Sequence, residues 1–178
     1  MGVRRRGREY ALQMLYAMDL TEYLPDEIFA GFNAIQDLNR DAFYYARRLV
    51  DGVHGHLEEI DAVLTRFAEH WKIHRMAVVD RNLLRLGVYE LMFLKDIPFP
   101  IIINEALEIV KEFSDQEGTQ FVNGILDAAS KEFRPDEVGP KGRRHRETEP
   151  TTEALAPAEP TAEALAPTEP VPPVSPEP

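Results

Sequence analysis

Apolar residues recur every three or four positions through most of the first 135 residues, and no stretch alternates long enough to suggest a strand. The central stretch is residues 76–94, MAVVDRNLLRLGVYELMFL, which has no proline and one glycine. On a wheel of about 100° per residue, Val79, Leu83, Leu84, Leu86, Val88, Leu91, Phe93 and Leu94 cover more than half the circumference. Arg81, Asn82, Arg85 and Tyr89 share the remaining arc. A surface helix shows a narrower stripe, so this pattern predicts a helix with others laid against several of its sides. Asp80, Arg81, Arg85 and Glu90 interrupt a run already short for a bilayer, which excludes a membrane span.

Helices are predicted around it. Tyr10 to Asp19 carries Ala11, Leu12, Leu15 and Met18 at helical spacing, with Met14 adjacent. Pro25, Asp26 and Glu27 place proline and acids where a first turn accepts them, ahead of Ile28, Phe29 and Phe32. Asn39 to Asp41 caps a third helix with Phe43, Ala46, Leu49, Val50 and Val53 inward; Gly52 and Gly55 weaken its end. A fourth spans residues 57–70, with Ile60, Val63, Leu64 and Phe67 inward. The segment DIPFP, residues 96–100, reads as a stiff extended loop, because residues before proline avoid the α region. Residues 101–113 follow, with Leu107, Val110 and Phe113 inward, then a polar loop over 114–118. The last helix covers residues 119–133, with Phe121, Val122, Ile125, Leu126 and Ala129 apolar. Seven helices with short connections predict an all-α fold of bundled helices.

The chain's formal charge of −11 is unevenly spread. Residues 147–178 hold seven acids, no base and nine of the fourteen prolines. Removing those seven acids leaves 24 acidic against 20 basic residues over 1–146, a net of −4, so the overall acidity is no argument against nucleic acid. The tail contains TTEALAPAEP followed by TAEALAPTEP, a composition that cannot offset its ordering entropy by burial. The expected organisation is therefore a helical domain over residues 1–135 and a disordered tail over 136–178, basic at first and then acidic. Cysteine is absent, which excludes disulfides, thiolate catalysis and cysteine-ligated metal. No apolar signal segment follows the basic start, so the expected compartment is the cytoplasm.

Residues 1–8, MGVRRRGR, hold Arg4, Arg5, Arg6 and Arg8. Cations oppose the dipole at a helix N-terminus by roughly 0.3–1 kcal/mol each, so helix stability does not explain them. Two readings remain: a solvated basic end, or an arm that binds nucleic-acid phosphates. Gln13 and Tyr16 follow one to two turns later and suit unpaired bases; Phe121 and Asn123 form a second aromatic–amide set. His70 and His74 have helical metal-pair spacing but no third ligand, and no metal or cofactor is expected. Glu90, inside the apolar arc, suits either acceptance from the open N–H groups of a neighbouring helix start, such as that near Ile101, or a ligand or partner contact. Asp80 suits either a first-turn role or a partner's cation. No phosphate loop, nucleophile elbow or defined carboxylate pair points to an enzyme.

RRRGREYALQMLY (residues 4–16), DRNLLRLGVYEL (80–91), INEALEIVKEFS (103–114) and QFVNGILDA (120–128) resemble, in order and spacing, the NusB family of bacterial transcription antitermination factors. The resemblance covers residues 3–135. It implies two small helical bundles packed roughly perpendicular. It also implies a non-enzymatic adaptor that binds boxA single-stranded RNA of ribosomal RNA operons with ribosomal protein NusE, and helps RNA polymerase, with other Nus factors, read through terminators. Arg4, Arg5, Arg6, Arg8, Tyr16 and Phe121 match the family's RNA surface; Gln13, Gln120 and Asn123 lie beside them, and Glu117 falls in a loop associated with the RNA complex. Asp80 matches an acidic contact to NusE. Gln120 stands where relatives often carry a base, and the acidic tail is outside the family pattern. Some relatives form homodimers that cover the RNA surface, so the alternative is a protein-binding scaffold or homodimer without direct RNA binding.

Overall fold

The computed structural model describes residues 2–35, 39–68 and 72–137. These residues form seven α-helices and one 3-10 turn (Ile73–Arg75), with no strand among them. The helices are α1 (Val3–Thr21), α2 (Pro25–Ile35), α3 (Arg40–Gly55), α4 (Leu57–Phe67), α5 (Val78–Phe93), α6 (Phe99–Phe113) and α7 (Gln116–Phe133). Residues 138–178 of the tail and His70 lie outside the described residues.

The N-terminal helices α1, α2 and α3 pack on one another, and α5, α6 and α7 form a second group. Helix α5 packs against α1, α3, α4, α6 and α7 and so belongs to both. Its apolar side chains Leu83, Leu84, Leu86, Val88 and Leu91 are buried, and so are Asn82 and Tyr89 from the arc expected to be polar. Arg81 and Arg85 complete that arc by pairing rather than by facing water. The Arg81 guanidinium donates to Asp19 Oδ2 from Nε (3.0 Å) and NH2 (2.6 Å), and Arg85 reaches both oxygens of Asp61 at 2.8 Å. The central helix is packed on several sides, and its two arginines have carboxylate partners on α1 and α4.

Several boundaries differ from the sequence expectation, each for a local reason. Helix α1 begins at Val3, so the arginine run forms its first turns instead of only leading into it, with Arg4 and Arg6 exposed there. Helix α6 begins at Phe99 and takes Pro100 into its first turn, where a missing N–H breaks no helical bond; DIPFP is therefore not wholly loop. Helix α7 begins at Gln116 because the Asp115 carboxylate accepts from the Gly118 N–H (2.8 Å). Glu117 consequently sits in a first turn and not in a loop. Helix α4 stops at Phe67. The Asn39 cap is as expected, its side chain accepting from Ala42 N–H at 3.0 Å.

Arg134 fastens the far end of the C-terminal group. It is buried and donates to the carbonyls of Glu90 (3.2 Å), Leu91 (2.7 Å) and Leu94 (2.8 Å), covering the open C-terminus of α5. Glu137 accepts from Phe99 N–H (3.0 Å), covering the start of α6 in the same way. At the other end, α1 crosses α3 closely at Gly7. A Cβ there would lie 2.6 Å from Tyr45 Cδ1 and 2.9 Å from the Ala42 carbonyl, so any larger residue would push the helices apart.

Candidate functional site

The arginine run on α1 divides by helical geometry. Residues 7, 8, 11, 12, 14 and 15 face the interior. Arg8 goes with them and is 2% exposed. Its Nε donates to both Glu90 oxygens (3.2 and 3.0 Å), and NH2 donates to Oε1 (2.8 Å). The Tyr45 hydroxyl adds a third group, donating to Glu90 Oε1 at 3.2 Å. Burial, with the neighbouring Glu90 charge, pushes the tyrosine pKa up to about 12. Burial works against the Arg8 cation, but hydrogen bonding and charge from Glu90 outweigh it and hold the guanidinium's pKa above its ordinary value. Two expectations are corrected here. Arg8 is not at the surface, because its guanidinium is buried against Glu90 inside the fold. Glu90 does not accept from the start of α6, because a cation and a phenol already fill it.

Arg4 and Arg6 are exposed, and no carboxylate lies within ion-pair distance of either among the described residues. Gln13 and Tyr16 are exposed on the same helix, Tyr16 to 39% despite its size. Arg6, Gln13 and Tyr16 follow one another at seven and three residues, which keeps them on one face. Arg5 is half-buried beside Glu105 and Glu108 of α6. The outcome is a stripe with the unpaired Arg6 guanidinium at one end and a tyrosine ring two to three turns along, while Arg4, also unpaired, is exposed in the first turn on a different side of the helix.

A second cluster forms where α5, α6 and α7 meet. Asp80, Glu117, Gln120 and Phe121 line a groove of about 690 Å³ together with Arg75, Met76, Phe113 and Ser114. Asn123 is exposed on α7 but outside this groove. Asp80, in the first turn of α5, is 8% exposed, and its Oδ2 accepts from Ser114 Oγ (3.3 Å). Its Oδ1 is buried with no hydrogen-bond partner. Burial holds the Asp80 carboxyl above the usual carboxylate range; Ser114 opposes the shift and Asp115 adds to it. A Cβ on Gly118 would collide with Ser114 Oγ and lie 3.1 Å from Asp80 Oδ2, so a larger residue there would have to turn the Ser114 hydroxyl away from its present position.

The groove gathers four of the expected site residues, while the α1 stripe is separate from it. The first turns of α5 connect them: Asp19 of α1 holds Arg81 and Asn82, and Asp80 beside them faces α7. Arg75, Met76, Phe113 and Ser114 were not foreseen as site residues. Arg75 belongs to the 3-10 turn, which has no periodic signal. Phe113 was expected inward but is 53% exposed, because α6 ends there and its last turn overhangs the groove. No three His, Asp or Glu side chains are placed to hold a metal among the described residues, where His74 is exposed. No helix there is long and apolar enough to cross a membrane.

The model of the NusB family matches residues 5–131. The transcription antitermination protein NusB of Myxococcus xanthus is 44% identical over 131 residues, covering 71% of this chain and 94% of that protein. The structure of NusB from T. maritima superposes with a TM-score of 0.67 at 38% identity, covering 75% of this chain and 94% of that one. A crystal structure of antitermination factors NusB and NusE in complex with dsRNA matches with a TM-score of 0.64 at 38% identity, over 73% of this chain and 97% of that one. With the helical order, the central α5 and the matched span in agreement, this chain belongs to the NusB family.

Proposed function

We propose that the chain is a transcription antitermination factor: a non-enzymatic adaptor that binds boxA single-stranded RNA together with ribosomal protein NusE. In this role it helps RNA polymerase, with other Nus factors, read through terminators in ribosomal RNA operons. It works in the cytoplasm. The observation that carries the reading is the α1 stripe. Arg4 and Arg6 present guanidiniums with no internal carboxylate in the first turns, and Gln13 and the outward Tyr16 follow on the face of Arg6. Guanidiniums grip phosphates and a tyrosine ring stacks on an unpaired base, which is the chemistry a single strand offers. Gln120, Phe121, Asn123 and Glu117 on α7 extend the RNA surface, and Arg5 is a further phosphate ligand once released from α6. Asp80 takes a hydrogen-bond donor from NusE. Its unfilled Oδ1, Asp115 and Glu117 beside it, and the apolar wall of Met76 and Phe113, suit a cationic side chain on a protein segment.

The test is titration of a boxA-like single-stranded RNA, with and without NusE, across a salt series. Binding that weakens with salt and tightens with NusE is expected. Absence of RNA binding in both arms, with NusE still bound, would move the function to a protein scaffold or a dimer whose RNA surface is covered.

A further inference from the structure

Helix α6 runs beside the arginine-bearing turns of α1 and turns carboxylates toward them. Arg5 Nε lies 3.5 Å from Glu105 Oε2, and Arg5 NH2 lies 3.7 Å from Glu108 Oε2. These are ion-pair distances without hydrogen bonds; Glu105 Oε2 is buried and accepts none. Glu108 also takes Lys111 Nζ at 2.6 Å; that contact and the neighbouring Arg5 hold its carboxyl below the ordinary range. One turn on, burial and the charge of Glu112 raise the carboxyl of Glu9, on α1, above its ordinary range. Glu105, Glu108 and Glu112 therefore make an acidic edge along one side of the α1 stripe. The four arginines fall into three states: Arg8 locked to Glu90, Arg5 loosely held by the edge, and Arg4 and Arg6 unpaired.

We propose that Glu105 and Glu108 are specificity-determining residues that compete with phosphate for Arg5. The inference rests on the RNA reading above and deepens it. A polyanion arriving without other contacts meets only Arg4 and Arg6, and the acidic edge repels it from the α6 side. A single strand that follows α1 as far as Tyr16 gains stacking and displaces the carboxylates, and Arg5 becomes its third phosphate ligand. The long, weak Arg5 contacts suit this role, because a half-exposed pair without hydrogen bonds is cheap to exchange. The bidentate Arg8–Glu90 pair, 2.8–3.2 Å and buried, is the opposite case.

The test uses the full chain with Glu108→Gln, Glu105→Gln and the double variant. A single-stranded RNA lacking the boxA sequence is titrated beside a boxA-like RNA at several salt concentrations. Glu59→Gln, in the first turn of α4, controls for the change in net charge. The non-boxA RNA should bind roughly two- to fivefold more tightly to the double variant, as expected for losing two weak, partly exposed ion pairs. The boxA-like RNA should gain less, so discrimination falls. For the non-boxA RNA the slope of log affinity against log salt should steepen by about 0.7, one more phosphate on a single strand. In an Arg5→Ala background Glu108→Gln should have no more effect than Glu59→Gln. Glu105 Oε2 also lies 3.9 Å from Arg8 NH1, so Glu108→Gln alone keeps the inference testable if Glu105→Gln disturbs Arg8. Salt-sensitive binding by the unaltered chain, with slope and discrimination unchanged in the variants, would overturn the proposal alone. No salt-sensitive binding by the unaltered chain would overturn the RNA reading and this inference together.

Discussion

Helix α5 buries a carboxylate near each end, and the two are treated in opposite ways. Glu90, near the C-terminus, receives Arg8 from α1 and Tyr45 from α3. Asp80, in the first turn, receives Ser114 on one oxygen and nothing on the other. Both lie within the apolar arc of the sequence pattern, and both are less than a tenth exposed. A filled carboxylate ties three helices together and has no capacity left for a ligand. A half-filled one at a groove costs stability in the free protein and is worth keeping only if something else completes it. The same rule sorts the arginines: paired Arg8 is architecture, while unpaired Arg4 and Arg6 are surface chemistry.

The largest effect should come from breaking the filled site. Arg8→Met leaves Glu90 charged and buried without its cation, and should cost about 3–5 kcal/mol in chemical denaturation. Adding Glu90→Leu should recover most of that loss, because removing both charges is far less harmful than stranding one. If the single variant is as stable as the unaltered chain, the pair does not hold α1 to α5. Next comes Asp80→Asn, which should weaken association with NusE by roughly 2–5 kcal/mol, measured by calorimetry. Unchanged affinity would leave Asp80 as a first-turn residue only.

The smallest effect concerns the stability of that same variant and runs the other way. Burial raises the folded-state pKa of Asp80 above its unfolded value. The ionised form is therefore the unfavourable one in the fold, a penalty present above the folded pKa and relieved as pH falls through it. Asp80→Asn should stabilise the chain at neutral pH by about 1 kcal/mol. The advantage should vanish as the pH falls into the ordinary carboxylate range near 4, followed by melting temperature. An advantage that persists unchanged at low pH would show that charge burial is not its cause.

Much of this arrangement was legible in the sequence, and the gaps have physical causes. The all-α fold, the central helix and most inward residues follow from three- and four-residue spacing, which local geometry enforces. Helix starts were misplaced where a cap decides them: Asp115 began α7 early, and Pro100 entered α6 because a first turn tolerates it. The burial of Arg8 was not legible, since its position beside Gly7 matters only once α1 meets α3 at close range. Glu90 drew attention through its place among apolar residues, yet its partner lies 82 residues away and no local rule selects it. Phe113 shows the reverse limit, because periodicity assigns a face but not whether a neighbour covers it at the helix's last turn.

The central claim is that the unpaired arginines of α1, and not the paired one, meet RNA phosphates. The most direct measurement is the salt dependence of affinity for a boxA-like single strand, in the unaltered chain and in an Arg4→Ala, Arg6→Ala double variant. Two lost phosphate contacts should flatten the slope of log affinity against log salt by about 1.4, with the melting temperature unchanged. An undiminished slope in a folded double variant would contradict the account and place the phosphates elsewhere on the molecule.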